Sequence, residues 1–281
     1  MQDYSKLDSP EILSHIFFLQ KTGKTTPPEG AQDVTVEVSA GIALGCRFFG
    51  AAPESPTLLY FHGNGETVSD YDFIGPRYCS HGMNVFIATY RGYGWSDGSP
   101  DVTSMFKDAD TICTKVIDWL QQNGYSGPLF VMGRSLGSAS AIDVALNHGK
   151  QLKGLIIESG FADTLPLAKA LGLGMLQEEG IEEKDCFNNR DKIAQVKLPT
   201  FIMHGGRDQL IPADQAEGLQ MSSGARNKQF VLVPGADHNT MISVAGELYF
   251  QGIKKFINEV CGINTWRQDR KKYKEKQQNQ A

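Results

Sequence analysis

Gly133-Arg134-Ser135-Leu136-Gly137 is the stretch from which the rest of the chain can be read. Before it stands Leu129-Phe130-Val131-Met132, a short apolar run with the character of a buried strand. After it, residues 138–146 are small or apolar and suit a helix packed closely on a sheet. Strand, G-x-S-x-G and helix together describe a nucleophile elbow. A sharp, strained turn lifts Ser135 out of the sheet, and Gly133 and Gly137 leave room where strand and helix nearly touch. The helix start behind the serine offers free N–H groups and a positive dipole end to developing negative charge. A bare G-x-S-x-G also occurs in simple turns, so the reading rests on the strand and helix that flank it.

Outward from the elbow, buried apolar runs alternate with helical stretches. Residues 34–38 alternate with period two and read as a half-exposed edge strand, with 43–49 as its hairpin partner. Residues 57–61, 84–89, 155–158, 200–203 and 229–233 are further strands. Helices are expected over 10–21, 71–81 and 105–121; Ser9 caps the first and Pro10 begins it. The pattern specifies an α/β fold: a mostly parallel, eight-stranded sheet with helices on both faces. In such sheets the site lies beyond the carboxyl ends of the strands.

Four segments follow. Residues 1–30 form an N-terminal helix and linker, whose apolar face reads as a core-docking stripe, and 31–265 form the main domain. Residues 162–197 interrupt the alternation and read as a small helical cap. Residues 266–281 carry six basic residues against two acidic ones and are expected to be a disordered polar tail. The net charge of −5 argues against general nucleic-acid binding. The five cysteines show no CxxC or metal spacing and suit reduced thiols in the cytoplasm. Neither a leader peptide nor an apolar run long enough to span a bilayer is read, so no stable membrane insertion is expected.

A serine hydroxyl needs a base within hydrogen-bond reach, and the base needs a third group to hold its tautomer. Of the histidines after Ser135, His238 lies in a loop after the last strand, where the imidazole can reach the serine. His204 sits at a strand end and reads as a packed residue. Asp208, after the penultimate strand, is the expected orienting carboxylate, ahead of Asp163, Glu158 and Asp237. The oxyanion needs two preorganised donors. The backbone N–H groups of Leu136 and Asn64 are the candidates, with His62 buttressing the second loop.

The cap carries a leucine-rich half, residues 165–176, too apolar to stand wholly exposed. Leu171 and Met175 are expected over Ser135 as substrate-binding residues, with Asp163 lining the pocket. Gly172 and Gly174 weaken the helix there and suggest a mobile lid. So small a cap implies a fairly open pocket and a preference for short to medium acyl groups. The acidic run Glu178, Glu179, Glu182 and Glu183 reads as a solvated helix face, or else as a grip for a substrate ammonium.

In family order across residues 34–260, these motifs resemble the α/β-hydrolase-fold serine hydrolases, and among them the serine-aminopeptidase-like and acyl-protein-thioesterase-like branch. The matching pieces are His62-Gly63-Asn64, Tyr90-Arg91-Gly92-Tyr93-Gly94-Trp95-Ser96, Gly133 to Ser138, Phe187-Asn188-Asn189, His204-Gly205-Gly206-Arg207-Asp208 and Asp237-His238-Asn239. The resemblance implies Ser135 as nucleophile, Asp208 as acid, His238 as base, and no cofactor or metal. The fold hosts many reactions, so the resemblance does not fix the substrate; the first reading is hydrolysis of a carboxylic ester or thioester, on a small molecule or an acylated protein. Membrane-attached members of the branch carry an N-terminal cysteine cluster or a transmembrane helix, and neither is read here. Two alternatives remain at this level: an aminopeptidase-like amide hydrolase, and a non-catalytic binding protein on the same fold.

Overall fold

The computed structural model describes residues 2–178 and 180–263, without the side chain of Met175. The polar tail at 266–281 therefore lies outside the described residues. Each of the eight apolar runs forms a strand: β1 Ala31–Ser39, β2 Ile42–Phe49, β3 Thr57–Phe61, β4 Asn84–Ala88, β5 Leu129–Arg134, β6 Leu155–Glu158, β7 Thr200–Gly205 and β8 Lys228–Val233. They make one sheet in the order β1-β2-β4-β3-β5-β6-β7-β8. The β1/β2 and β2/β4 pairs are antiparallel and the remaining five are parallel. The central strands are buried on both faces, so their sequences are continuous apolar runs instead of alternating ones. β1, at the edge, keeps the alternation.

The helices are α1 Pro10–Ile16, α2 Gly75–Ser80, α3 Val102–Gln122, α4 Gly137–Asn147, α5 Thr164–Ala170, α6 Met175–Glu178, α7 Asn189–Gln195, α8 Ala213–Ser222, α9 Met241–Ala245 and α10 Glu247–Val260. Ile112, Val116, Ile142 and Leu219 from α3, α4 and α8 cover one face of the sheet. Tyr78, Phe250, Ile253 and Phe256 from α2 and α10 cover the other. A third apolar cluster joins the N-terminal segment to the cap, through Tyr4, Leu7, Ile12 and Phe17 on one side and Leu173, Leu176 and Ile181 on the other. It also includes Leu136, the residue after the elbow serine.

Three helices depart from the sequence reading. The helix expected over 71–81 is shortened to α2, Gly75–Ser80, with a separate 3-10 turn at Val68–Tyr71 before it. α1 stops at Ile16 instead of running towards Lys21, and the chain continues extended, with Thr22 N–H donating to Gly94 C=O at 3.0 Å and Gly94 N–H to Gln20 C=O at 2.8 Å. The extended path buries Phe17 and gives the backbone at 16–18 a side-chain partner, described below. The leucine-rich half of the cap breaks into α5 and α6 around Gly172, which sits at φ +91°. Across the base of the cap, Asn189 Nδ2 donates to Phe161 C=O at 3.0 Å and Arg190 N–H to Ala162 C=O at 3.2 Å. Among the described residues no helix is long and apolar enough to cross a membrane, and no cluster of side chains could hold a metal ion.

Candidate active site

Ser135 occupies the left-handed region, at φ +52°. A non-glycine residue there is strained and persists only where its surroundings hold it. Here Ser135 N–H donates to Glu158 C=O at 3.0 Å, and Ser138 Oγ donates to Ser135 C=O at 2.6 Å. The flanking glycines are sterically required. A Cβ on Gly137 would lie 2.1 Å from Phe61 O, and one on Gly133 would lie 2.2 Å from Gly137 O.

The parallel register brings the ends of β5, β7 and β8 to one edge, and with them the three residues singled out by sequence. His238 Nε2 lies 2.9 Å from Ser135 Oγ, and His238 Nδ1 lies 2.7 Å from Asp208 Oδ2. The other oxygen, Asp208 Oδ1, accepts from Leu210 N–H at 3.0 Å and Ile211 N–H at 2.8 Å. Burial pushes the Asp208 carboxyl up, but the His238 hydrogen bond and the Ile211 N–H outweigh it and leave its pKa below the usual value. An ionised Asp208 draws the imidazole proton to Nδ1, so Nε2 is left to accept from the serine hydroxyl.

His204 and His62 take the supporting places expected of them. His204 is fully buried and donates from Nε2 to Ile211 C=O at 2.8 Å, and burial lowers its pKa. His62 donates from Nδ1 to Gly63 C=O at 2.8 Å, and its Nε2 lies 3.0 Å from Thr89 Oγ1. The weaker acid candidates have other occupations. Asp237 caps Asn239 N–H and bonds Thr240, and Glu158 accepts from Tyr249 OH at 2.6 Å.

Ser135 and His238 open onto a cavity of about 360 Å³. Leu171 lines it; the side chain of Met175 lies outside the described residues. Asp163 does not line it, which corrects the sequence reading. Its carboxylate is engaged by the Arg190 guanidinium at the base of the cap, so it faces a charge partner instead of substrate space. The apolar wall comes from the cap (Leu167, Leu171, Leu173, Leu176), from Phe161, and from the N-terminal residues Leu7, Ile16 and Phe18. Asn64, Glu66, Arg134 and Asn239 form a polar end. Leu136 and Asn64 both border the cavity, and their backbone N–H groups have no hydrogen-bond partner among the described residues.

The sequence reading missed Arg134. Its guanidinium is largely shielded and pairs with Glu66, lies 3.5 Å from Glu158, and donates to His238 C=O at 2.7 Å and Asn239 Oδ1 at 2.9 Å. Glu66 in turn accepts from Gly63 N–H and Tyr71 OH, each at 2.7 Å. One arginine thus ties the elbow, the Asn64 loop and the His238 loop together. The available signal was the cation at the variable position of G-x-S-x-G, which a buried site obliges to find a carboxylate.

A family model described as serine aminopeptidase, S33, matches residues 52–177. Over 222 residues the chain is 32% identical to protein bem46 of Schizosaccharomyces pombe, covering 76% of this chain and 71% of that protein. The chain belongs to the α/β-hydrolase family that includes bem46. This α/β-hydrolase is also 27% identical to the α/β-hydrolase domain-containing protein WAV2 of Arabidopsis thaliana, over 81% of this chain and 79% of the relative. Among solved structures, the Pyrococcus furiosus esterase Pf2001 superposes with a TM-score of 0.67, covering 85% of this chain and 96% of the esterase at 19% identity. That likeness is one of fold.

Proposed function

We propose that this α/β-hydrolase is a serine hydrolase that cleaves carboxylic esters or thioesters through an acyl-enzyme. The observation that carries the reading is the unbroken hydrogen-bond chain Asp208–His238–Ser135 at the edge of a mostly apolar cavity. His238 Nε2 takes the Ser135 proton as Oγ attacks the carbonyl carbon. The N–H groups of Leu136 and Asn64 hold the oxyanion, each such donor contributing on the order of 10²–10³ in rate. The tetrahedral adduct collapses, and the alcohol or thiol leaves with the proton from His238. Water then attacks the acyl-serine with His238 as base, releasing the acid and free Ser135.

The same geometry weighs against an aminopeptidase. Gripping a substrate ammonium requires a carboxylate free to face it. Glu66 is the carboxylate that borders the cavity, and Arg134 and Tyr71 already engage it. In the acidic run of the cap, Glu183 accepts from Thr164 and Leu165 N–H, and Glu182 pairs with Lys184; Glu179 lies outside the described residues. The five cysteines are free thiols, which supports a reducing compartment such as the cytoplasm. Small-molecule esters suit a cavity of this volume, and an acylated protein could present the same acyl group.

The test is a panel of p-nitrophenyl esters of graded chain length beside acyl-CoA thioesters and aminoacyl anilides, together with fluorophosphonate labelling. Ester or thioester turnover with Ser135 labelled is the expected result. Anilide turnover exceeding that of every ester would replace the reading with a peptidase. A folded protein that neither labels nor turns over any substrate would favour a binding protein.

A further inference from the structure

We propose that the N-terminal segment, residues 7–18, is the wall of the substrate cavity that limits acyl-chain length, and that the Asn64 side chain is the positioning residue that holds it there. The proposal rests on the hydrolase reading above and gives the segment, read from sequence as a core-docking stripe, a part in specificity.

Leu7, Ile16 and Phe18 border the same cavity as Ser135 and His238. Leu7 comes from the turn before α1 and Ile16 from its last residue, and Phe18 reaches the cavity because α1 ends at Ile16 and the chain turns extended. At that point the Asn64 carboxamide acts like a neighbouring strand. Its Nδ2 donates to Ile16 C=O at 2.6 Å and its Oδ1 accepts from Phe18 N–H at 2.9 Å. Tyr93 OH donates to the same oxygen at 2.7 Å. An amide with both ends so engaged cannot rotate without stranding polar groups. Asn64 thus carries a proposed oxyanion donor on its backbone and the wall of the acyl site on its side chain.

The segment is anchored on both sides of this clasp. Upstream, Tyr4 stacks on Phe106 with ring centroids 4.5 Å apart, and Asp8 accepts from Val102 N–H at 2.8 Å at the start of α3. Downstream, Lys21 bridges to Gly94. Between the anchors Phe18 is 54% exposed, which places it at the mouth of the cavity. A terminus held this way keeps its place when substrate enters, so its side chains set the length available to an acyl chain.

The test compares wild type, Ile16→Trp, Phe18→Ala and Asn64→Ala on p-nitrophenyl esters from acetate to decanoate, with a melting curve for each protein. Each methylene of acyl burial corresponds to about a fourfold gain in kcat/KM. An indole at Ile16 that excludes two methylenes therefore lowers the octanoate-to-acetate ratio about fifteenfold. Phe18→Ala, at a largely exposed position that folding tolerates, lowers the same ratio several-fold. Asn64→Ala is expected to lower kcat and flatten the chain-length profile together, because one residue carries both effects. A merely structural role would lower turnover of every ester in proportion and leave the profile unchanged. Wild-type profiles in folded Ile16→Trp and Phe18→Ala would overturn the proposal while leaving the hydrolase reading intact. A wild-type protein that turns over no ester and leaves Ser135 unlabelled fails at the hydrolase reading, and the assignment falls with it.

Discussion

Arg134→Met removes a buried cation from between two carboxylates. The arginine side chain is 11% exposed and that of Glu158 is 2% exposed, so water has little access to the Glu158 carboxylate once its partner is gone. Breaking a buried pair by removing one member costs about 3–5 kcal/mol. At about 2–4 °C per kcal/mol for a domain near this size, the midpoint of thermal unfolding should fall about 6–20 °C. The deficit should also depend on pH. Burial pushes the Glu158 carboxyl above its ordinary value of 4.5, and Arg134 is the main group opposing that rise. Without Arg134 the folded-state pKa climbs further. A carboxyl with a raised folded pKa contributes stability that is full below the unfolded value and lost as pH rises through the folded one. The variant should therefore lie closer to wild type at pH 5 than at pH 8. Urea unfolding at both pH values measures this. Arg134→Met/Glu158→Gln, which removes the stranded charge, should recover much of the stability. Its ester turnover should stay low, because the carbonyl of His238 and the side chain of Asn239 remain untied. A deficit under about 1 kcal/mol at pH 8, or one indifferent to Glu158→Gln, would refute the reasoning.

Ser135→Ala should lower kcat on a p-nitrophenyl ester by about 10⁶ at an unchanged melting temperature, and retention of a few per cent of activity would move the nucleophile elsewhere. Asp208→Asn should cost about 10⁴ in kcat, whereas Asp163→Asn, outside the cavity, should cost little; the reverse order would refute the acid assignment. In acid the depressed pKa of Asp208 contributes stability above the unfolded value near 3.8, lost as pH falls through the lower folded value, so Asp208→Asn should flatten that part of a stability–pH curve. Gly137→Ala should yield little folded protein, because the added Cβ meets Phe61 O at 2.1 Å; wild-type yield and circular dichroism would show that the elbow has more room. Leu171→Asp should depress octanoate turnover more than acetate turnover, and equal losses across the ester series would remove Leu171 from the acyl wall.

The legible parts of the molecule were those written in short-range pattern. The central strands are apolar runs whose burial on both faces leaves a continuous signature, β1 is marked by its alternation, and the elbow is spelled within five residues. Ser135, Asp208 and His238 could be placed because each stands in a recognisable loop after a strand. What stayed hidden depends on partners far away in sequence. Asn64 meets Phe18 across 46 residues, and Arg134 meets the His238 loop across 104. Asp163 was misplaced because its position at the start of the cap suggested the pocket, while Arg190, 27 residues on, takes its carboxylate. α1 read as longer than it is because apolar residues continue beyond Ile16; the stop comes from tertiary partners, not from a capping signal.

The stitch across the base of the cap has a consequence for how such a protein can change. Phe161 and Ala162, just after β6, are hydrogen-bonded to Asn189 and Arg190, at the start of α7 on the way back to β7. The intervening chain, with α5 and α6, therefore hangs from a closed neck. Lengthening such a loop costs only about 0.6 kcal/mol per doubling, and beyond the neck the cap meets the N-terminal segment and Leu136 through side-chain packing, not through the sheet. Residues can be inserted, deleted or exchanged between positions 163 and 188 while β6 and β7 keep their register and Ser135, Asp208 and His238 keep their spacing. The strand ends that carry Ser135, Asp208 and His238 and the cap wall of the cavity are joined along the chain only through this neck, so the cap can change in length while those three positions are held constant.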